Sequence, residues 1–94
     1  MFFQARTVAV EDEVTKSIQN AKGNFKRVEE VYDALVWRLA RKPDSGTEIS
    51  NEGHHLIKTA DLAVEGVPVI AALYTFTEHQ VDILSIKIMA SNGR

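Results

Sequence analysis

The chain has 94 residues, of which 45% are hydrophobic and 26% charged, with a formal net charge of -2; these values fit one soluble globular domain with a small core. With no cysteine it has no disulfide, no thiolate metal site and no thiol nucleophile. It lacks the basic surplus with which most nucleic-acid binders neutralise phosphates, and no run approaches the ~18 apolar residues of a membrane span.

The N-terminus, Met1-Phe2-Phe3-Gln4-Ala5-Arg6, holds no apolar run of signal-peptide length, so the expected location is cytoplasmic. Phe2 to Thr7 is short, aromatic and β-compatible, and is read as a first strand. Thr7 then caps a helix over Val8–Ala21, in which Val10, Val14, Ile18 and Ala21 recur at helical spacing and Glu11, Asp12 and Glu13 sit near the positive end of the dipole. Gly23 is the expected stop.

A second helix is predicted over Asn24–Arg41, with Phe25, Val28, Val31, Tyr32, Leu35 and Leu39 on one stripe. Arg38, Arg41 and Lys42 complement the carbonyls of its last turn, and Pro43-Asp44-Ser45-Gly46 ends it. The two helices form a hairpin whose apolar stripes need a sheet to cover them.

After Gly46 the period becomes that of strands. Thr47–Ser50 and His55–Thr59 flank a turn at Asn51-Glu52-Gly53, and Val67–Thr77 and Val81–Ala90 are long β-branched and aromatic runs. Glu78-His79-Gln80 is short enough to make the last pair an antiparallel hairpin. With Thr77 opposite Val81, the residues Ile70, Ala72, Tyr74 and Phe76 share the helix-facing side with Leu84, Ile86 and Ile88. Ala71, Leu73, Thr75, Val81, Ile83, Ser85 and Lys87 then fall on the open side, with Lys87 opposite Ala71; a loop of two residues would shift these faces.

At this point a family resemblance emerges. The run Ala34-Leu35-Val36-Trp37-Arg38-Leu39-Ala40-Arg41-Lys42-Pro43-Asp44-Ser45-Gly46 resembles the leucine–alanine–arginine, proline, glycine helix exit of RelE/ParE toxins. The closing hairpin, Leu73-Tyr74-Thr75-Phe76 and Val81-Asp82-Ile83-Leu84-Ser85-Ile86, is similar to the family's last two strands. The order strand, helix, helix, three strands covers almost the whole chain. The resemblance implies an α+β fold, with an N-terminal strand and a two-helix hairpin packed on an antiparallel β-sheet. It further implies the toxin of a type II toxin–antitoxin pair, of the kind that serves plasmid stabilisation, neutralised by a cognate antitoxin protein. One branch of the family cleaves messenger RNA on the ribosome; the ParE branch binds and inhibits DNA gyrase.

The chain departs from the ribonuclease pattern. Ala71 stands where those members carry an arginine, and the end of the last strand reads Ile88-Met89-Ala90-Ser91-Asn92-Gly93-Arg94 instead of presenting arginine, histidine or lysine with a tyrosine. RNA cleavage needs a base for the 2′-hydroxyl and cations for the charge on phosphate. No catalytic residue is therefore assigned, and the expected activity is binding of a gyrase-like target. The alternatives are an mRNA endoribonuclease using a displaced set, Lys58, Lys87 and His55, and a non-toxic relative that keeps the fold.

Each candidate binding residue has a plainer reading. His54 and His55 are adjacent, so strand alternation turns them to opposite faces, and His79 belongs to a loop. The histidines lack metal-ligand spacing, and no cofactor or metal is expected. Lys58 and Lys87 lie within apolar strands, so they belong on an open face or an edge, as a cationic patch or as charges that block edge pairing. Trp37 lies off the main stripe of the second helix as either a flank of the core or an exposed anchor, and Arg41 is either a partner-binding candidate or a cation that only complements the helix C-terminus. Apolar residues on the open face predict a covering partner, an antitoxin segment or a second copy in a homodimer.

Overall fold

The computed structural model describes residues 5–61 and 67–91. In chain order these form strand β1 (Thr7–Val10), helix α1 (Asp12–Ala21), helix α2 (Val28–Arg41), a 3₁₀ turn at Pro43–Ser45, and strands β2 (Thr47–Glu48), β3 (His55–Lys58), β4 (Val69–Phe76) and β5 (Gln80–Met89). Two helices and a five-stranded sheet make an α+β fold. The strand order is β1-β5-β4-β3-β2. β1 runs parallel to β5 and the other pairs are antiparallel, so the sheet is mixed and not wholly antiparallel.

The parallel pair explains the largest departure from the predicted elements. Helical spacing placed Val8 and Val10 in the first helix, but Val8 lies opposite Val81 and Val10 opposite Ile83 in the sheet. β-branched side chains suit that pleated surface, and tertiary pairing overrides local periodicity. Most of the predicted Phe2–Thr7 strand lies outside the described residues; the observed strand starts at Thr7, which is therefore not a cap. α1 begins at Asp12 after Glu11, which makes no side-chain cap bond, while Asp12 and Glu13 supply the negative charge of the first turn.

α1 ends at Ala21, before Gly23, and α2 starts at Val28, four residues later than Asn24. The Phe25 N–H donates to the Ala21 carbonyl at 2.8 Å, and the ring packs against the core from this turn. β2 is shorter than Thr47–Ser50, and β3 stops at Lys58.

The core forms where both helices meet one face of the sheet. Val14 and Ile18 of α1 and Val28, Leu35 and Leu39 of α2 close over Ile70, Ala72, Tyr74, Val81 and Ile83. Val81 and Ile83, expected on the open face, are fully buried on the helix face. The hairpin loop has two residues, Glu78 and His79, closed by the Thr77 N–H on the Gln80 carbonyl at 2.8 Å, so Phe76 and not Thr77 faces Val81. This shift alone would turn Ile86 and Ile88 outward. A bulge corrects it: Tyr74 pairs with Ile83 and Leu73 with Ser85, leaving Leu84 as an extra residue in β5. Beyond the bulge Ala72 faces Ile86, Ala71 faces Lys87 and Ile70 faces Ile88, as the sequence predicted. Among the described residues no helix is long and apolar enough to cross a membrane.

Candidate functional site

Two surfaces bring the predicted residues together. The first is the sheet face away from the helices. Lys58 on β3 pairs with Ala71 on β4, and Ala71 pairs with Lys87 on β5, so one row reads Lys58–Ala71–Lys87. Strands lie ~4.8 Å apart, which sets the two lysine Cα atoms roughly 10 Å apart with a methyl group between them. Both lysines are exposed, and their flexible stems can converge on one anion. The adjoining row is apolar, with Leu56, 43% exposed, opposite Leu73.

His55 does not join this row. It pairs with Tyr74 on the helix side of the sheet, where its ring lies 5.6 Å from Tyr74 and 5.0 Å from Phe76. Its Nδ1 donates to the Gly53 carbonyl at 2.9 Å. The set Lys58, Lys87 and His55 is thus split across the two faces. His54 lies four residues from Lys58, about 13 Å along an extended chain. Its Nδ1 sits 2.9 Å from the Ser50 hydroxyl, which also accepts from the backbone N–H groups of Glu52 and His54 and so organises the turn. Gly53 takes a φ of 85° there, a conformation that glycine adopts without steric cost.

The second surface is the outer face of α2. Trp37 is 60% exposed. The Arg41 guanidinium lies 4.1 Å over its indole ring, and Nη1 donates to the Trp37 carbonyl at 3.2 Å. Helical spacing of four residues permits this stack, and attraction to the ring face holds it. Arg38 and Lys42 extend the positive charge. On the other side of Trp37 an open groove of about 620 Å³ separates α2 from β3, with Leu35, Arg38, Ile57 and Lys58 among its lining residues. Lys58 therefore borders both surfaces: it lines this groove with Trp37 and Arg38, and it shares its row on the sheet with Lys87.

Tyr74 was legible in the sequence only as a core residue. Its hydroxyl donates to the Pro43 carbonyl at 2.6 Å and accepts from the Gly46 N–H at 2.9 Å. Burial, with a smaller contribution from the Asp44 charge, pushes its phenol above the ordinary value, against the opposing Gly46 hydrogen bond. Arg6 is a second residue the sequence left without a role: its Nε donates to the Thr77 carbonyl at 2.8 Å and ties the start of β1 to the hairpin loop.

Comparison of the chain with known protein families, with curated proteins and with solved structures finds no match.

Proposed function

We propose that this chain is the toxin component of a type II toxin–antitoxin pair of the RelE/ParE kind, working in the cytoplasm by binding its target, as gyrase inhibitors do, and held inactive by an antitoxin protein. Two observations support the family reading: the order strand, helix, helix and closing strands, and the Ala34–Gly46 helix exit. The row Lys58–Ala71–Lys87 carries the choice of binding over cleavage. Ammonium groups offer positive charge and hydrogen-bond donors but no proton acceptor, so this row can grip phosphate or carboxylate and cannot deprotonate a 2′-hydroxyl. His55, the base in the alternative set, faces the other side of the sheet.

The test is a supercoiling assay with purified gyrase and the purified chain, beside induction of the chain alone in cells. Growth arrest together with inhibited supercoiling is the expected result. Full supercoiling activity at a large molar excess of the chain would remove the gyrase-inhibitor reading. The second reading, a ribosome-dependent mRNA endoribonuclease, draws on the same paired lysines as a phosphate grip and requires a base from the ribosome or the RNA.

A further inference from the structure

The exposed side of α2 changes sign along its length. Its first half presents Glu29, Glu30 and Asp33, and its far end presents Arg38, Arg41 and then Lys42. Near the start the charges are paired, with Lys22 3.5 Å from Glu29 and Arg27 2.9 Å from Glu30. Among the described residues Arg38, Arg41 and Lys42 have no ion-pair partner. They enclose a cavity of about 540 Å³ with Trp37 and Ser45, and Asp44, the nearest carboxylate in sequence, does not line it. In a chain of net charge -2 this local surplus favours an anion.

The carbonyls of the helix end do not oppose one. Those of Trp37, Arg38 and Lys42 accept from Arg41 Nη1 at 3.2 Å, the Lys42 N–H at 2.7 Å and Ser45 Oγ at 2.6 Å. Much of the negative end of the dipole is thereby met within the chain. Arg41 spends one N–H in this way and keeps the rest of its fork for a ligand.

Trp37 supplies the other half of the site. Helical side chains lean toward the N-terminus, so its indole stands over the turn that holds Asp33 and Ala34. Arg41 covers one face of the ring at 4.1 Å. Ala34, a bare methyl, leaves space on the other side, where the ring borders the groove of about 620 Å³ that Ile57 and Thr59 also line. We propose that groove and cavity together bind a purine nucleoside 5′-diphosphate. The base stacks on the indole face that Arg41 leaves free, its exocyclic amino group donates to Asp33, and the phosphates lie among Arg38, Arg41 and Lys42. Arg38 lines both spaces. Ala34, Arg38 and Lys42 follow at four-residue spacing, so the phosphate cations stand about 6 and 12 Å beyond the base along the helix, a span that an extended nucleoside diphosphate covers.

The placement of charge selects this occupant. Cations stand at one end only, and the other end holds Asp33, Glu30 and Glu29. A mononucleotide carries its charge at one end and matches that polarity. A single-stranded nucleic acid would run its phosphates past the carboxylates, and a run of acidic side chains offers no flat ring to the indole. Stacking on tryptophan accepts any base; Asp33, an acceptor only when ionised, favours one that bears an amino group. The inference does not depend on the gyrase reading.

The probe is ADP, titrated into the purified chain and followed by calorimetry and by the emission of Trp37, its single tryptophan. Saturable binding is expected. Pyrophosphate, without the base, should bind about tenfold more weakly, and adenosine, without the charge, should also lose about tenfold or more. Trp37→Ala, read by calorimetry, should weaken ADP about tenfold, and Arg38→Ala and Lys42→Ala about tenfold each. Arg27→Ala removes the same charge from the other end of the helix and should change affinity by no more than about twofold. Circular dichroism of each variant confirms that the fold is kept. Pyrophosphate binding as tightly as ADP would reduce the site to an anion patch and overturn the proposal. So would ADP binding indifferent to Trp37→Ala and Lys42→Ala, or no saturable binding of ADP. Displacement of ADP by a single-stranded oligonucleotide at lower concentration would overturn it in favour of nucleic acid.

Discussion

The contact between Tyr74 and Gly46 ties the exit of α2 to the centre of the sheet. A β-carbon on Gly46 would lie 2.6 Å from the Tyr74 hydroxyl oxygen and 2.7 Å from the Leu56 carbonyl oxygen, closer than packed atoms tolerate. Gly46→Ala should destabilise the fold by about 1–3 kcal/mol, because the added methyl forces backbone apart and stretches the hydroxyl contact. The denaturant midpoint is the measurement, and an unchanged midpoint would show that the turn absorbs the methyl freely. The same phenol gives a pH signature. Its folded-state value lies above the ordinary 10.0, chiefly through burial. In alkali the unfolded chain therefore loses this proton first, and the native state binds more protons than the unfolded one. The stability contributed by Tyr74 is complete below pH 10.0 and falls as pH rises toward the folded value. Tyr32 is shifted in the same direction, by burial and then by Asp33. Phenolate absorbance in the folded chain should thus have its midpoint above pH 10.0; a native-state midpoint below it would contradict this account.

At the scale of elements, β5 shows what the sequence signalled and what it hid. The strand alternates as Val81-Asp82-Ile83 and again as Leu84-Ser85-Ile86-Lys87-Ile88, and the two phases meet at the apolar pair Ile83-Leu84. That doubled apolar position is the local trace of the bulge. A single unbroken alternation assigned Leu84 to the core and sent Val81 and Ile83 outside. The far half of the hairpin was legible because its length and alternation fix the register of Ala71 with Lys87. The near half was not, because a two-residue loop and a bulge compensate each other. Removal of Leu84 should therefore preserve the fold, since Ile83 and Ser85 would follow in regular alternation with both faces intact. Circular dichroism and thermal unfolding of the deletion variant test this, and an unfolded variant would mean that the bend itself is required. β1 was hidden for a different reason: Val8 and Val10 fit a helix locally, and only the distant β5 makes them a strand.

Over the whole molecule, the helices cover one sheet face, while the other combines Leu56 and Leu73 with the flanking charges of Lys58 and Lys87. Sequence alone put both lysines outside the core and paired Lys87 with Ala71. It did not align Lys58 in the same row, because that requires the β3–β4 register, and it grouped His55 with them although strand alternation turns that ring to the helices. Trp37 was left between core and surface by its place off the apolar stripe, and the fold turns it outward with Arg41 stacked on it. The central proposal is that this arrangement binds and does not cleave. Its most direct test is mapping of messenger RNA 5′ ends after induction of the chain alone. The account predicts growth arrest with no new ends at defined codon positions; discrete codon-specific ends that vanish in Lys87→Ala would contradict it.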